Sequence, residues 1–120
     1  MAFTAGTPLS AAALNDAVGY TTPTTFTITT PAGTGWYRKV GSLVEVHGIT
    51  TGTASATTNY TVYTLPTGYR PAERTCIAAA AGGTSIRPAH AIVDPNGDIQ
   101  VYNAHTSATV IEFHGLFAPA

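Results

Sequence analysis

The sequence predicts an all-β fold, an antiparallel β-sandwich or jelly-roll-like domain of about eight strands, preceded by one short helix. Short runs rich in threonine, valine, isoleucine and aromatic residues recur along the chain. Turn residues separate these runs at intervals of roughly ten positions. Within several runs, apolar and polar residues alternate, which is typical of strands that bury one face against a core.

Length and charge limit the class of protein. At 120 residues the chain is long enough for one domain with its own core. Charged residues make up only 9% of the sequence and the net charge is -1, against about 25% charged residues in a typical domain. Such a chain has no positive surplus to pair with phosphates, so we expect neither nucleic-acid binding nor membrane binding. A weakly charged surface also favours self-association.

The one helical signal lies near the start, in the segment TPLSAAALNDAVG. Ser10 is a candidate N-cap, Gly19 a candidate stop, and Leu14 and Val18 share one face. A helix of about two turns is too short to be stable alone, so it must pack against other protein. We therefore divide the chain into an N-terminal segment, 1–19, and a β-domain, 20–120. No part of the opening sequence resembles a signal peptide or a transmembrane segment.

Eight segments carry the strand pattern, and two turns between them are well defined. Gly41-Ser42 predicts a tight hairpin turn, and Asp94-Pro95-Asn96-Gly97 predicts a second turn. In the alternating runs, Val62 is expected to share a face with Tyr60 and opposite Tyr63. The predicted strands lie within residues 21–33, 34–40, 42–50, 60–65, 75–81, 86–93, 99–103 and 109–117.

The titratable residues do not form a recognisable catalytic or metal-binding motif. The histidines (His47, His90, His105 and His114) have no zinc-ligand spacing. Glutamate and histidine alternate on one strand face at Glu45/His47 and at Glu112/His114. These pairs are either carboxylate–imidazole sites or polar residues that face solvent or a subunit interface. In a threefold oligomer, one histidine could meet its two copies on the axis and bind a metal. We expect no enzymatic activity, no cofactor and no bound metal.

Aromatic and sulfur side chains add expectations about burial. Cys76 lies in the apolar run TCIAAAA, so we expect it to be buried and inert. Trp36 and Tyr37 are adjacent on a strand and must point to opposite faces. One of them therefore faces outward or into a subunit interface. Exposed aromatic rings on a sheet either fill interfaces or stack on sugar rings.

The segment LPTGYRPAERT predicts a rigid corner between two strands. Pro66 and Pro71 fix the backbone at two places, and Gly68 allows the turn between them. Tyr69 is placed to cover the corner with its ring. The arginines of this segment are candidates for pairing with Glu73, with Glu112 or with a neighbouring subunit. Candidate interface or ligand contacts are therefore Trp36, Tyr37, Tyr69, Arg70 and Arg74.

Several stretches together resemble virion proteins of tailed bacteriophages. The opening FTAGTPLSAAALNDAV is similar to the attachment segment at the start of many phage tail-fibre and appendage proteins. The succession GWYRKVGSLVEVHGIT, LPTGYRPAER, IVDPNGDIQVYN and a closing strand ending FHGLFAPA is similar to the C-terminal domains of tail fibres and receptor-binding proteins. The matches touch most of the chain, and their order is more specific than any one motif.

The resemblance implies a non-enzymatic structural protein on the virion surface, a homotrimeric appendage that adsorbs to host glycans. Its N-terminal segment, with Phe3, Leu9, Leu14 and Val18, would contact other virion proteins. The shaft of a long fibre has no counterpart here, because the helix leads directly into the β-domain. This departure favours a short appendage or, as the alternative, a decoration protein that stabilises the phage head. An unrelated lectin-like module or a small hydrolase has little support in the sequence.

Overall fold

The computed structural model describes residues 21–55, 57–82, 86–103 and 110–120, and these ranges contain only β-strands and their connections. The predicted helix and the attachment segment 1–19 lie outside the described residues. No helix in the described ranges is long and apolar enough to span a membrane. The strands are β1 (Thr24–Ile28), β2 (Gly33–Val40), β3 (Leu43–Thr50), β4 (Thr58–Thr64), β5 (Thr75–Gly82), β6 (Arg87–Pro88), β7 (His90–Val93), β8 (Asp98–Asn103) and β9 (Val110–Phe117).

All the strand pairs are antiparallel, and the predicted all-β class is confirmed. The order across the sheet is β1-β2-β3-β9-β5-β7-β8-β4, with β6 paired to β5 beside β7. The two end strands, β1 and β4, contact each other, so the sheet nearly closes on itself as a barrel or sandwich. One predicted strand, 86–93, is divided into β6 and β7 at Ala89. Both pieces keep the same register against β5.

The two predicted turns are confirmed. Val40 pairs with Leu43, which leaves Gly41 and Ser42 as a two-residue hairpin loop. Gly41 has a φ of 61°, a left-handed conformation that glycine adopts without strain. In the turn between β7 and β8, the amide of Gly97 donates to the carbonyl oxygen of Asp94 at 2.8 Å.

The core is built from the inward residues of both halves of the sheet. Phe113, Ile28, Leu65, Ile99 and Ile111 are among its largest fully buried side chains. Glycine makes room for the rings. The ring of Phe113 covers Gly48 and the ring of Phe26 covers Gly35, so closely that a Cβ at either glycine would overlap the ring. The two glycines are themselves paired across β2 and β3.

Two expectations about side-chain direction are wrong. The register between β4 and β8 shifts between Thr61 and Tyr63, which indicates a β-bulge. The bulge allows Val62 and Leu65 to be buried while Tyr63 also packs against the core, so strict alternation fails in β4. Cys76 is exposed, not buried. Ile77 and alternate residues after it face the core, which turns the Cys76 thiol outward.

Candidate interaction surface

Four adjacent strands present one row of outward side chains. Trp36 on β2 pairs with His47 on β3, His47 pairs with His114 on β9, and His114 pairs with Ala78 on β5. Neighbouring strands lie about 4.8 Å apart, so the row spans roughly 14 Å. We call the outward side of β2, β3, β9 and β5 the outer face. Its opposite side is the core.

Two histidine–glutamate pairs cross the outer face diagonally. Nε2 of His47 lies 3.1 Å from Oε1 of Glu112, and Nε2 of His114 lies 2.9 Å from Oε2 of Glu45. The pairs are thus formed between β3 and β9, not within one strand as the alternation of the sequence suggested. Diagonal neighbours on adjacent strands are within reach of long side chains. The four residues form a reciprocal tetrad in which each strand contributes one histidine and one glutamate.

Arg38 extends the tetrad to β2. Its Nε lies 2.6 Å from Oε1 of Glu45, whose side chain is 14% exposed. Burial opposes ionisation of this carboxyl, but hydrogen bonds from His114 and Arg38 outweigh burial and hold the pKa of Glu45 below its ordinary value of 4.5. Glu45 is therefore the central anion of the network, shared by a guanidinium on one side and an imidazole on the other.

Trp36 stands at one side of this network. Its ring stacks on that of His47, with an angle of 23° between the two planes. The ring centroids are 5.5 Å apart, a distance close to the spacing of the two strands. Both rings therefore rise side by side from the sheet. The guanidinium carbon of Arg38 lies 5.1 Å from the Trp36 ring centroid, within cation–π distance. Of the adjacent pair Trp36 and Tyr37, one of which is expected to face outward, the structure places Trp36 on the outer face.

Tyr37 points into the core, so it is not a surface contact. It is 7% exposed, and its ring contacts Phe26, Tyr63 and Tyr69. Burial, and then the hydrogen bond with Tyr63, raise the pKa of the Tyr37 hydroxyl above 10.0. Tyr69 meets Tyr37 edge-on at 4.8 Å and carries Lys39 over its ring at 4.9 Å. Both tyrosines serve the packing of one corner.

That corner is LPTGYRPAERT, and its contacts are internal. Nε of Arg70 donates to the carbonyl oxygen of Leu65 at 2.7 Å, across the turn. Nζ of Lys39 donates to the carbonyl oxygen of Gly68 at 2.6 Å. The amide of Ala120 donates to the carbonyl oxygen of Arg70 at 2.8 Å, which ties the chain end to the corner. These hydrogen bonds hold the segment as a corner between β4 and β5.

The side chain of Arg74 points away from the corner into solvent. Its Nε is 2.6 Å from Oδ1 of Asp94, and its side chain is 66% exposed. The sequence suggested Glu73, Glu112 or a neighbouring subunit as partners for the two arginines. Within the chain, Arg74 instead pairs with Asp94, and Arg70 donates to a backbone carbonyl oxygen. Neither arginine belongs to the outer face.

Two shallow cavities flank the row on the outer face. An open groove of about 570 Å³ lies beside Trp36, and threonines of β1 and β2, Thr25, Thr27 and Thr34, line it. A smaller depression of about 250 Å³ lies over Ala78 and Ala80. Its rim carries Glu112 and His114, whose side chains are both about half-exposed.

The remaining candidates are placed elsewhere or lie outside the described residues. His90 stands beside Tyr102 on β7 and β8, with ring centroids 6.2 Å apart. His105 and the attachment candidates Phe3, Leu9, Leu14 and Val18 fall outside the described ranges. Among the described residues, no group of three or more histidines, cysteines, aspartates or glutamates could hold a metal ion.

Sequence reasoning missed the cross-strand tetrad and the alanine depression. Part of the signal is present in the sequence: the alternation puts Glu45 with His47, and Glu112 with His114, on one face of their strands. Their meeting depends on β9 pairing with β3, a contact between strands more than sixty positions apart in the chain. Nothing local in the sequence specifies that neighbour.

Comparison with models of known protein families and with curated protein sequences finds no match. What the chain does must therefore be argued from its own residues.

Proposed function

We propose that the chain is a non-enzymatic structural protein on the surface of a tailed-bacteriophage virion, a homotrimeric appendage that adsorbs to glycans of the host surface. The outer face is the observation that carries this proposal. On one face of the sheet it combines a partly exposed tryptophan, two imidazoles, aliphatic side chains and shallow cavities. Surfaces that combine aromatic and aliphatic side chains with polar groups are typical of recognition sites.

The segments of the β-domain that carry the resemblance coincide with elements of the fold. GWYRKVGSLVEVHGIT forms the hairpin of β2 and β3, and IVDPNGDIQVYN forms the turn between β7 and β8 with its strands. LPTGYRPAER is the corner that leads from β4 towards β5. The closing FHGLFAPA completes β9 and ties the chain end to the corner. This agreement supports the resemblance over the β-domain, where the matches follow the order of the strands and turns.

The groove beside Trp36 is the proposed glycan site. A sugar ring presents C–H groups to an aromatic face or edge and hydroxyls to polar neighbours. Trp36 supplies the indole, and Thr25, Thr27 and Thr34 supply hydroxyls along the groove. These threonines are exposed on β1 and β2, so the site is open to a chain of sugars.

A second candidate function is that of a decoration protein on the phage head. Two features favour it. Leu43 and Leu116 are exposed large apolar residues on the outer face, at 38% and 50%. β1 is an end strand of the sheet, and such an edge accepts an extended segment from a neighbour by strand addition. A protein that clamps neighbouring capsomers needs both kinds of contact.

Purified particles test the proposal. We expect the protein to remain with virions through a density gradient and to be present in many copies per particle by quantitative mass spectrometry. Its recovery only from the soluble fraction would overturn the virion assignment. To separate the two candidates, purified protein should slow adsorption of phage to cells if it is an adhesin. Particles that lack it should lose heat tolerance, with normal adsorption, if it is a decoration protein.

A further inference from the structure

The turn between β7 and β8 contains the one Asn-Gly step of the sequence, Asn96-Gly97. In such a step the backbone nitrogen of the glycine can attack the side-chain amide of the asparagine, because the glycine has no Cβ to hinder the approach. Asn96 is exposed to solvent in this turn. The groups for spontaneous deamidation are therefore present, and the fold decides whether they can meet.

The reaction needs only water and a base, and solvent supplies both. The amide nitrogen of Gly97 gives up its proton and bonds to Cγ of Asn96, and the bond from Cγ to Nδ2 breaks. Nδ2 leaves with its hydrogens and one further proton as ammonia, and a five-membered succinimide ring remains. Water then opens the ring at either carbonyl carbon, which gives aspartate or isoaspartate at position 96.

The folded turn holds the attacking nitrogen of Gly97 in place. Its N–H donates to the carbonyl oxygen of Asp94 at 2.8 Å. Gly97 is buried with a φ of 97°, and its carbonyl oxygen accepts a hydrogen bond from the amide of Leu65 at 2.8 Å. A Cβ on Gly97 would overlap the Leu65 carbonyl oxygen and Nε of Arg70. The nitrogen therefore keeps its proton and cannot turn towards the side chain unless the corner LPTGYRPAERT moves as well.

The side chain of Asn96 is held at both of its polar atoms by Asp98. Oδ1 of Asn96 accepts a hydrogen bond from the backbone amide of Asp98 at 3.0 Å, and Nδ2 donates to Oδ2 of Asp98 at 3.2 Å. The hydroxyl of Thr64 donates to the other carboxylate oxygen of Asp98 at 2.6 Å. The bond to Oδ1 polarises the carbonyl for attack. Restraint outweighs this polarisation, because attack requires the side chain and the Gly97 nitrogen to turn towards each other.

We propose that Asn96 is a modification site controlled by folding: the closed turn preserves the amide, and deamidation proceeds when the turn and the corner open together. Local opening has a lower free energy than global unfolding, so the site is reached without unfolding the whole sheet. This chemistry is independent of the location of the protein and of any ligand.

Deamidation acts back on the fold. A carboxylate at position 96 stands near the carboxylates of Asp94 and Asp98, and like charges repel. Isoaspartate also lengthens the main chain by one carbon before Gly97, whose amide and carbonyl then cannot both keep their partners on Asp94 and Leu65. Modified chains, separated by ion exchange, should unfold at a lower temperature than unmodified chains. Equal unfolding temperatures would show that the corner survives the change.

The measurement is the rate of amide loss at Asn96, followed by peptide mass spectrometry while the full chain is incubated in mildly alkaline buffer. We expect the rate in the folded natural chain to be about tenfold lower, or less still, than in the chain unfolded in guanidinium chloride. Asn59, which precedes a tyrosine, is the internal reference and should keep its amide in both states. Equal rates in the folded and unfolded chains would overturn the proposal, and so would an Asn96 that stays intact in the unfolded chain.

Asp98→Ala tests the restraint on the side chain, since it removes the acceptor of Nδ2. The ratio of the folded to the unfolded rate should rise about fivefold, as expected for the loss of one hydrogen bond. Glu73→Ala is the control for charge, because it removes an exposed carboxylate of the corner, and its ratio should equal that of the natural chain. Circular dichroism verifies that each variant is folded. An unchanged ratio in folded Asp98→Ala would contradict the restraint by Asp98, and the natural chain alone decides the proposal if that variant does not fold.

Discussion

His47 lies directly opposite His114 across β3 and β9, with ring centroids 6.2 Å apart. Each imidazole reaches diagonally to a glutamate on the other strand, His47 to Glu112 and His114 to Glu45. An antiparallel pair has a local twofold axis between opposed residues, and the tetrad follows that symmetry. The consequence is a polar cluster that joins two strands distant in sequence on an otherwise weakly charged surface.

The first prediction concerns acid. The pKa of Glu45 is held low in the folded protein, so its ionised form stabilises the fold at pH values above the ordinary value of 4.5. This stabilisation is lost as pH falls through the lower, folded-state pKa. Glu45→Gln should therefore be less stable than the natural chain above pH 4.5, and the difference should shrink below it. Urea unfolding at a series of pH values from 6 to 3 measures this.

Glu73→Gln is the control for the change in net charge, because it removes a carboxylate of the exposed corner. If the stability difference between Glu45→Gln and the natural chain stays constant down to pH 3, ionisation of Glu45 does not contribute to the stability of the fold.

A second prediction concerns the end of the β3–β9 ladder. The hydroxyl of Thr50, which is fully buried, accepts a hydrogen bond from the amide of Ile111 at 2.8 Å. Thr50→Val keeps the shape of the side chain and leaves that amide without this acceptor. We expect a loss of about 1–3 kcal/mol in the free energy of unfolding. Thr51→Val, at the exposed neighbouring position, should cost well under half of that. Equal losses in the two variants would contradict the assignment.

A third prediction tests whether the Phe113 ring packs directly on Gly48. Gly48→Ala places a Cβ into that ring, so either the ring or the strand must move. Overpacking of this kind costs about 1–3 kcal/mol. Gly82→Ala is the matched control, since its Cβ would lie 3.8 Å from Val110 Cβ, an ordinary contact. Thermal unfolding should separate the two variants, and a Gly48→Ala protein as stable as Gly82→Ala would show that the ring is not seated on the glycine.

A fourth prediction compares the two arginines of the corner. Arg70→Lys removes the Nε that donates to the Leu65 carbonyl oxygen in a partly buried site, and we expect a loss of about 1.5 kcal/mol. Arg74→Lys alters an exposed ion pair with Asp94, which should change stability by less than about 0.5 kcal/mol. Chemical denaturation of both variants is the test. The reverse order of stability would mean that the corner is held by Arg74.

Much of this architecture follows from local sequence. The hairpin at Gly41-Ser42 and the turn ending at Gly97 are specified by residues that tolerate positive φ. The alternation in β3 and β9 predicts that Glu45 and His47 share one strand face, as do Glu112 and His114, and the structure agrees. The all-β class follows from the recurrence of such segments.

Other features depend on contacts between distant segments. The bulge in β4 is set by its pairing with β8, and it overrides the alternation that placed Val62 opposite Tyr63. Cys76 was expected in the core because its run is apolar on both sides. In a strand with one exposed face, apolar character alone does not tell which side is buried; Ala78 and Ala80 are exposed as well.

Imaging of virions tests the central proposal most directly. Virions labelled with gold-conjugated antibody against the β-domain, or reconstructed by electron cryomicroscopy, should show the protein at regular positions on the particle surface, as threefold density on the tail or the head. Particles of full infectivity with no label and no such density would contradict the assignment to the virion.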